Sequence, residues 1–294
     1  MKLSSLFEKN QNKAPVISIE IFPPKDPDFN IKKTNLYKEL DELNSHFKPS
    51  LISITYGAGG STCENSNVLA KEIKENCGFD IVMPHFTCVC SSKDLIERHL
   101  SEIKEYKIEN ILALRGDEPK DIDVCYKDFK YASDLVDFIK NKTDFEIAVA
   151  GYPEGHILSE SLNEDIKHLK TKVNNGASAI FTQFFFENEK FYNYLELLDK
   201  NKINLPVCAG ILPVISYEGL LRMIRLSGIK LSNKAKCHFE KWQNSKEDTI
   251  KAGIEWASQQ VEDLAKNNVS GIHFYTLNKA YSTIEILKNT KFIH

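Results

Sequence analysis

The chain is expected to fold as a (β/α)₈ TIM barrel, on three features of its sequence. Eight short apolar runs alternate with helical patterns, over a length just above the ~250 residues typical of that fold. Most of the runs are continuously apolar, as strands covered on both faces are. Polar and charged residues gather where each run ends, and there such a barrel builds its site. A doubly wound open sheet would need two halves, and no linker, low-complexity tract or repeat divides the chain. Residues 1–294 therefore read as a single α/β barrel domain.

A polar leader predicts a short N-terminal helix. Val16 to Phe22 (Val-Ile-Ser-Ile-Glu-Ile-Phe) predicts the first strand, stopped by Pro23-Pro24, which offer no ladder N–H. The others are expected at Leu51 to Gly57, Ile81 to Cys88, Asn110 to Leu114, Glu146 to Tyr152, Ala179 to Phe186, Pro206 to Leu212 and Gly271 to Leu277. Ile31 to Phe47 shows helical spacing of Leu36, Tyr37, Leu40, Leu43 and Phe47. Ser91-Ser92-x-Asp94 signals the cap of a helix running to Tyr106, and Lys130 to Lys140 carries Leu135, Val136 and Ile139. Ser161 to Asn175 ends at Gly176, a C-cap residue. Glu189 to Lys200, Tyr217 to Ser227 and Glu247 to Asn267 complete the helices. The wide interval between Leu212 and Gly271 holds extra helical material around Leu231 to Trp242, an extended segment between strands 7 and 8.

Composition narrows the function. Residues are 42% hydrophobic and 27% charged with net charge -3, which gives no electrostatic case for nucleic acid or an anionic membrane. No apolar run approaches the ~18 residues of a membrane span, and the start lacks a signal peptide's apolar core. Seven cysteines, none in Cys-x-x-Cys spacing, suggest free thiols in a reducing cytoplasm. No His/Cys/Asp/Glu set has metal-ligand spacing, so no metal is expected.

The polar residues follow barrel geometry. Glu20 lies on the first strand; Thr55-Tyr56-Gly57-Ala58-Gly59-Gly60 follows the second; His85 is late in the third. Arg115-Gly116-Asp117 follows the fourth, Tyr152-Pro153-Glu154-Gly155-His156 closes the fifth, Gln183 sits in the sixth, and Tyr275, Asn278 and Lys279 come at the eighth. Each has a bland alternative. Glu20 could pair with a core lysine, Gln183 could be a satisfied core amide, and the glycine loop could be an ordinary βα turn. An acid between Ile19 and Ile21 nevertheless needs a partner or a task, and a general acid is one such task. An arginine and a carboxylate two residues apart at a strand's end suit a ligand with phosphate and polar heterocycle edges. The residues alone leave a barrel enzyme with a large polar ligand and an acid, its chemistry open.

Eight blocks in order give the chain a resemblance. They are Ile19 to Pro24, Ser53 to Gly60, Pro84 to Cys88, Leu114 to Asp117, Ala150 to His156, Thr182 to Phe186, Gly210 to Val214 and His273 to Asn278. Together they resemble the methylenetetrahydrofolate reductases, in the short bacterial form without a regulatory domain. The resemblance implies an FAD-dependent barrel that reduces 5,10-methylenetetrahydrofolate to 5-methyltetrahydrofolate by a ping-pong mechanism, feeding methyl groups to methionine synthesis. NADH is the expected donor over NADPH, by analogy with bacterial members, and a homo-oligomer is expected. It implies Glu20 as general acid and Asp117 beside flavin and pterin. Flavin positions fall on Thr55, Tyr56, Ala58, His85, Arg115, Gly116, Asp117, Tyr131, Ala132, Tyr152, His156, Asp165, His168 and Lys172. Glu20, Thr55, Asp117, Gln183, Met223 and Lys279 are implied to meet substrate. The chain departs from the pattern at Thr171 (an arginine expected), His168 (asparagine), Met223 (an aromatic), Gly219 (a polar residue) and Lys279, which keeps an arginine's charge without its fork. A flavin-free folate transferase and a catalytically silent scaffold are the competing classes. The flavin set speaks against the first; the retained Glu20, Asp117 and Gln183 speak against the second.

Overall fold

Strand β1 (Val16–Ile21) shows how the sequence divides inside from outside. Ile17, Ile19 and Ile21 pack into the large apolar cluster shared with the surrounding helices, while Val16, Ser18 and Glu20 alternate to the barrel interior. The computed structural model describes residues 1–11, 13–56, 63–117, 128–290 and 292. Within it β1, β2 (Leu51–Ile54), β3 (Val82–Thr87), β4 (Asn110–Leu114), β5 (Glu146–Gly151), β6 (Ala179–Phe184), β7 (Val207–Ile211) and β8 (Gly271–Tyr275) form a closed parallel barrel. Each strand pairs with the next and β8 returns to β1, so the expected fold class holds.

The inward series grows more polar along each strand. It reads Val16, Ser18, Glu20 on β1; Leu51, Ser53, Thr55 through β2; Met83, His85, Thr87 on β3. The lower interior is therefore apolar, and the expected N-terminal helix α1 (Leu3–Asn10) plugs it with Leu3, Leu6 and Phe7. Polar side chains are left for the opposite, carboxyl end.

The helices that follow are α2 (Asn35–His46), α3 (Cys63–Asn76), α4 (Lys93–Glu105), α5 (Ala132–Lys142), α6 (Leu162–Asn174) and α7 (Asn188–Lys200). Then come α8 (Tyr217–Ser227), α9 (Asn233–Glu240), α10 (Lys246–Lys266) and α11 (Ala280–Asn289). The single helix expected over Ile31 to Phe47 divides: Ile31–Lys33 is a 3₁₀ turn, and Thr34 then caps α2 by accepting from the Tyr37 N–H at 3.2 Å. The segment between β7 and β8 holds α8, α9 and α10, whose Phe239 and Trp256 pack on Phe186 and Phe184 above β6. Two helices escaped the sequence reading: α3 opens in a polar stretch, and α11 is rich in β-branched residues. One expectation is corrected. Cys77, Cys88, Cys208 and Cys237 are free, but Cys90 is disulfide-bonded, because folding can bring together cysteines whose sequence spacing shows no motif.

Candidate functional site

Glu20 is withdrawn from water at the carboxyl end of β1, its side chain 12% exposed. Two histidines from other strands face it. His85 Nε2 of β3 stands 3.7 Å from Glu20 Oε2, and His273 Nε2 of β8 stands 3.9 Å from the same oxygen. His273 is oriented from below: its Nδ1 lies 2.8 Å from Ser18 Oγ, and the β1–β8 register places Ser18 opposite His273. Phe181 and Tyr275 meet its ring edge to face. The acid expected from sequence is thus present, and His273, quoted only within a motif, belongs to its surroundings. Its place shows only once β8 closes on β1.

Burial drives the His85 ring down from 6.5 to about 4, outweighing the attraction of Glu20 with help from His273. The unfolded ring takes a proton below 6.5 and the folded ring only below about 4. Between those values the unfolded chain binds more protons, so stability falls as pH drops through that window. In urea unfolding of the flavin-free protein at pH 6.5 and pH 5, His85→Gln is expected to remove about 2 kcal/mol of the acid-induced loss. Equal losses in both proteins would show that His85 is not held neutral.

At the same carboxyl end of the barrel, a cavity of about 480 Å³ opens at the ends of β4 and β5. Arg115, Tyr131, Ala132, Tyr152, His156, Asp165, His168 and Lys172 line it, which brings most of the expected flavin positions together. Thr171 lines it as well, as do Leu158 and Ser159, which no motif singled out. Lys172 is partly buried, donates to Ala150 O at 2.7 Å and faces Asp165. Burial lowers its ammonium to about 8 and raises the Asp165 carboxyl, so desolvation outweighs their attraction. Ser159 Oγ donates to Asp165 Oδ1 at 3.3 Å. The Tyr152 and His156 rings meet edge to face at 4.6 Å, and His156 Nδ1 accepts from the Leu158 N–H. His156 is therefore a neutral ring, pushed down chiefly by burial. The α5 end of the cavity is fixed by Asp134, whose carboxylate accepts from the Tyr131 N–H at 2.9 Å.

The remaining expected residues scatter more widely. Tyr56 is buried against Phe86, and Thr55 Oγ1 is buried with no hydrogen-bond partner among the described residues. Gly116 takes a left-handed φ of 78° directly above Thr87 and Val89, where a side chain would collide. Asp117 is exposed at the rim, within electrostatic reach of Tyr152 and His156. Gln183 lies where β6 slips register between Phe181 and Phe184, a bulge that re-aims side chains. Met223 is half-buried on α8, and Lys279 is not free: its Nζ pairs with Glu39 of α2 at 2.8 Å. Ala58 lies outside the described residues. No described helix is long and apolar enough to cross a membrane.

The family model described as Methylenetetrahydrofolate reductase matches residues 5–291. The 5,10-methylenetetrahydrofolate reductase of Pectobacterium carotovorum subsp. carotovorum is 33% identical over 264 residues, covering 90% of this chain and 86% of that protein. Methylenetetrahydrofolate reductase (NADH) 1 of Arabidopsis thaliana is 33% identical over 302 residues, and the chain spans only 50% of its length. Among solved structures, an uncharacterized protein from Clostridium thermocellum that binds two copies of 5-methyl-5,6,7,8-tetrahydrofolic acid superposes with a TM-score of 0.65. It covers 99% of this chain and 98% of its own at 13% identity, a likeness of fold.

Proposed function

The chain belongs to the methylenetetrahydrofolate reductase family, and from that premise we propose that it reduces 5,10-methylenetetrahydrofolate to 5-methyltetrahydrofolate with electrons from NADH, passed through bound FAD. The observation behind this reading is a withdrawn acid, Glu20, at the same carboxyl end of the barrel as a cavity lined by two cations, Arg115 and Lys172.

The residues suit FAD. Its two phosphates need cations, which Arg115 and the desolvated Lys172 offer at the cavity wall. Its ring edges need hydrogen-bond partners, and Thr55 Oγ1 and His85 Nε2 are buried without one among the described residues. Tyr152 and His156 would supply flat walls to the same cavity. Bound FAD would supply a two-electron store, so that donor and acceptor use one site in turn.

The protein's own part in the folate step is a proton. Opening the five-membered ring of methylenetetrahydrofolate breaks a bond from the methylene carbon to a nitrogen, and that nitrogen must gain a proton. Glu20 donates it, and the carbon then receives the hydride and becomes the methyl group. Gln183 and Asp117 are assigned to the pterin side of the site, and Met223 and Lys279 to the rest of the folate. Residues 1–294 are taken as one catalytic unit, acting in the cytoplasm as a homo-oligomer.

The visible spectrum of the purified protein, with FAD added if needed, tests the whole reading. A flavin band that bleaches with NADH under anaerobic conditions and returns on adding methylenetetrahydrofolate is the expected result. Absence of any flavin band after added FAD would overturn the cofactor and favour a folate transferase.

A further inference from the structure

We propose that Asn278 is a positioning residue for Glu20, holding the end of β1 through a side-chain clamp on Phe22. The inference rests on Glu20 being the acid of the folate step. The paired register of β1 and β8 ends at Glu20 and Tyr275. Beyond it β8 turns away, and the loop into α11 supplies the missing pairing with side chains. Thr276 Oγ1 donates to Glu20 O at 2.7 Å. Asn278 Oδ1 accepts from the Phe22 N–H at 2.8 Å, and Asn278 Nδ2 donates to Phe22 O at 2.9 Å. One amide thus reproduces both bonds of a strand partner, two residues past the acid.

The loop adopts an unfavourable backbone to do this. Leu277 and Asn278 sit side by side in the left-handed region, at φ 51° and 57°. Asparagine tolerates that region, but leucine seldom occupies it. Strain of this kind persists where the surroundings enforce it, and here it delivers the amide to Phe22. The far end of the loop is tied down too, since Glu39 accepts from the Ala280 N–H at 2.8 Å and pairs with Lys279. Glu20 is therefore fixed from below by the β1–β8 ladder and from above by the clamp. A general acid displaced by even ~1 Å loses much of its rate, so such fixing has a use that stability alone does not require.

Asn278→Gly tests this, because glycine accepts φ 57° without strain while both clamp bonds vanish. The expected protein melts within a few degrees of wild type. It keeps NADH reduction of the flavin and slows the folate half-reaction about tenfold, a fraction of what a misplaced acid can cost. In a Glu20→Gln background the same change should have almost no further effect, because the clamp acts through that carboxyl. In flavin-free protein the ring ¹⁵N signals of His85 and His273, which face Glu20, should shift. Should the glycine variant not fold, Asn278→Asp keeps an acceptor for the Phe22 N–H, loses the donor, and is read in the same way. Equal slowing of both half-reactions, an undiminished effect beside Glu20→Gln, or unmoved histidine signals would each overturn the clamp. If wild type reduces no folate, the reductase reading falls, and the histidine signals alone decide whether the clamp holds the acid.

Discussion

Glu20→Gln is expected to leave flavin reduction by NADH within about threefold of wild type while slowing flavin reoxidation by methylenetetrahydrofolate roughly 10³-fold, the scale set by loss of a general acid. The two half-reactions differ in one respect that this residue controls. Hydride transfer from the nicotinamide moves no proton to a ring nitrogen, whereas opening the folate ring does. Glutamine has nearly the same shape and can still sit between His85 and His273, which stand 3.7 Å and 3.9 Å from the carboxylate oxygen. Neither ring should therefore lose its place, and His85 stays uncharged at neutral pH because burial holds it near 4. Anaerobic stopped-flow spectroscopy separates the steps. Equal slowing of both would mean that Glu20 shapes the site instead of delivering a proton.

The acid was legible in the sequence because of its setting. A carboxylate between Ile19 and Ile21 contradicts a buried strand unless it has work to do, and the fold turns it into the barrel with Ser18. The eight strands were legible for a related reason: runs covered on both faces are apolar throughout, and length separates them from helices. Their neighbours were less visible. His273 reaches Glu20 only through the pairing of β8 with β1, which spans more than 250 residues of sequence and depends on closure. The clamp of Asn278 on Phe22 is equally non-local, and its signal is a backbone conformation that no residue type announces. Lys279 could be read as a cation at the eighth strand's end, but not as the partner of Glu39 on α2. The family resemblance named positions around the cavity, and the fold then gathered Arg115, Tyr152, His156, Asp165 and Lys172 along one wall.

Lys172→Met is expected to separate folding from cofactor binding: the flavin-free protein gains stability while FAD affinity falls roughly 100-fold, the cost of losing a charge-assisted phosphate contact. The lysine is largely withdrawn from water, and among the described residues its ammonium donates to Ala150 O. Burial lowers it from 10.5 to about 8 against the pull of Asp165. Between those two values the unfolded chain keeps a proton that the folded chain has shed, so stability rises with pH across that window. Below about 8 the folded chain bears the whole cost of the buried charge, which converts to about 3 kcal/mol. Methionine matches the stem without the charge. The realised gain should be nearer 1 kcal/mol, because Asp165 loses its cation and keeps only Ser159, His156 and His168 around a carboxyl already raised by burial. Wild-type affinity for FAD should weaken above pH 8, as the ammonium discharges, whereas the variant should bind weakly at every pH. Thermal unfolding of the flavin-free proteins at pH 7 and pH 9, with fluorescence titration by FAD, measures both sides. A less stable Lys172→Met protein would mean that the bond to Ala150 holds β5 together. A more stable one that binds FAD poorly would show a cation kept out of water at the fold's expense because the bound phosphates use its charge.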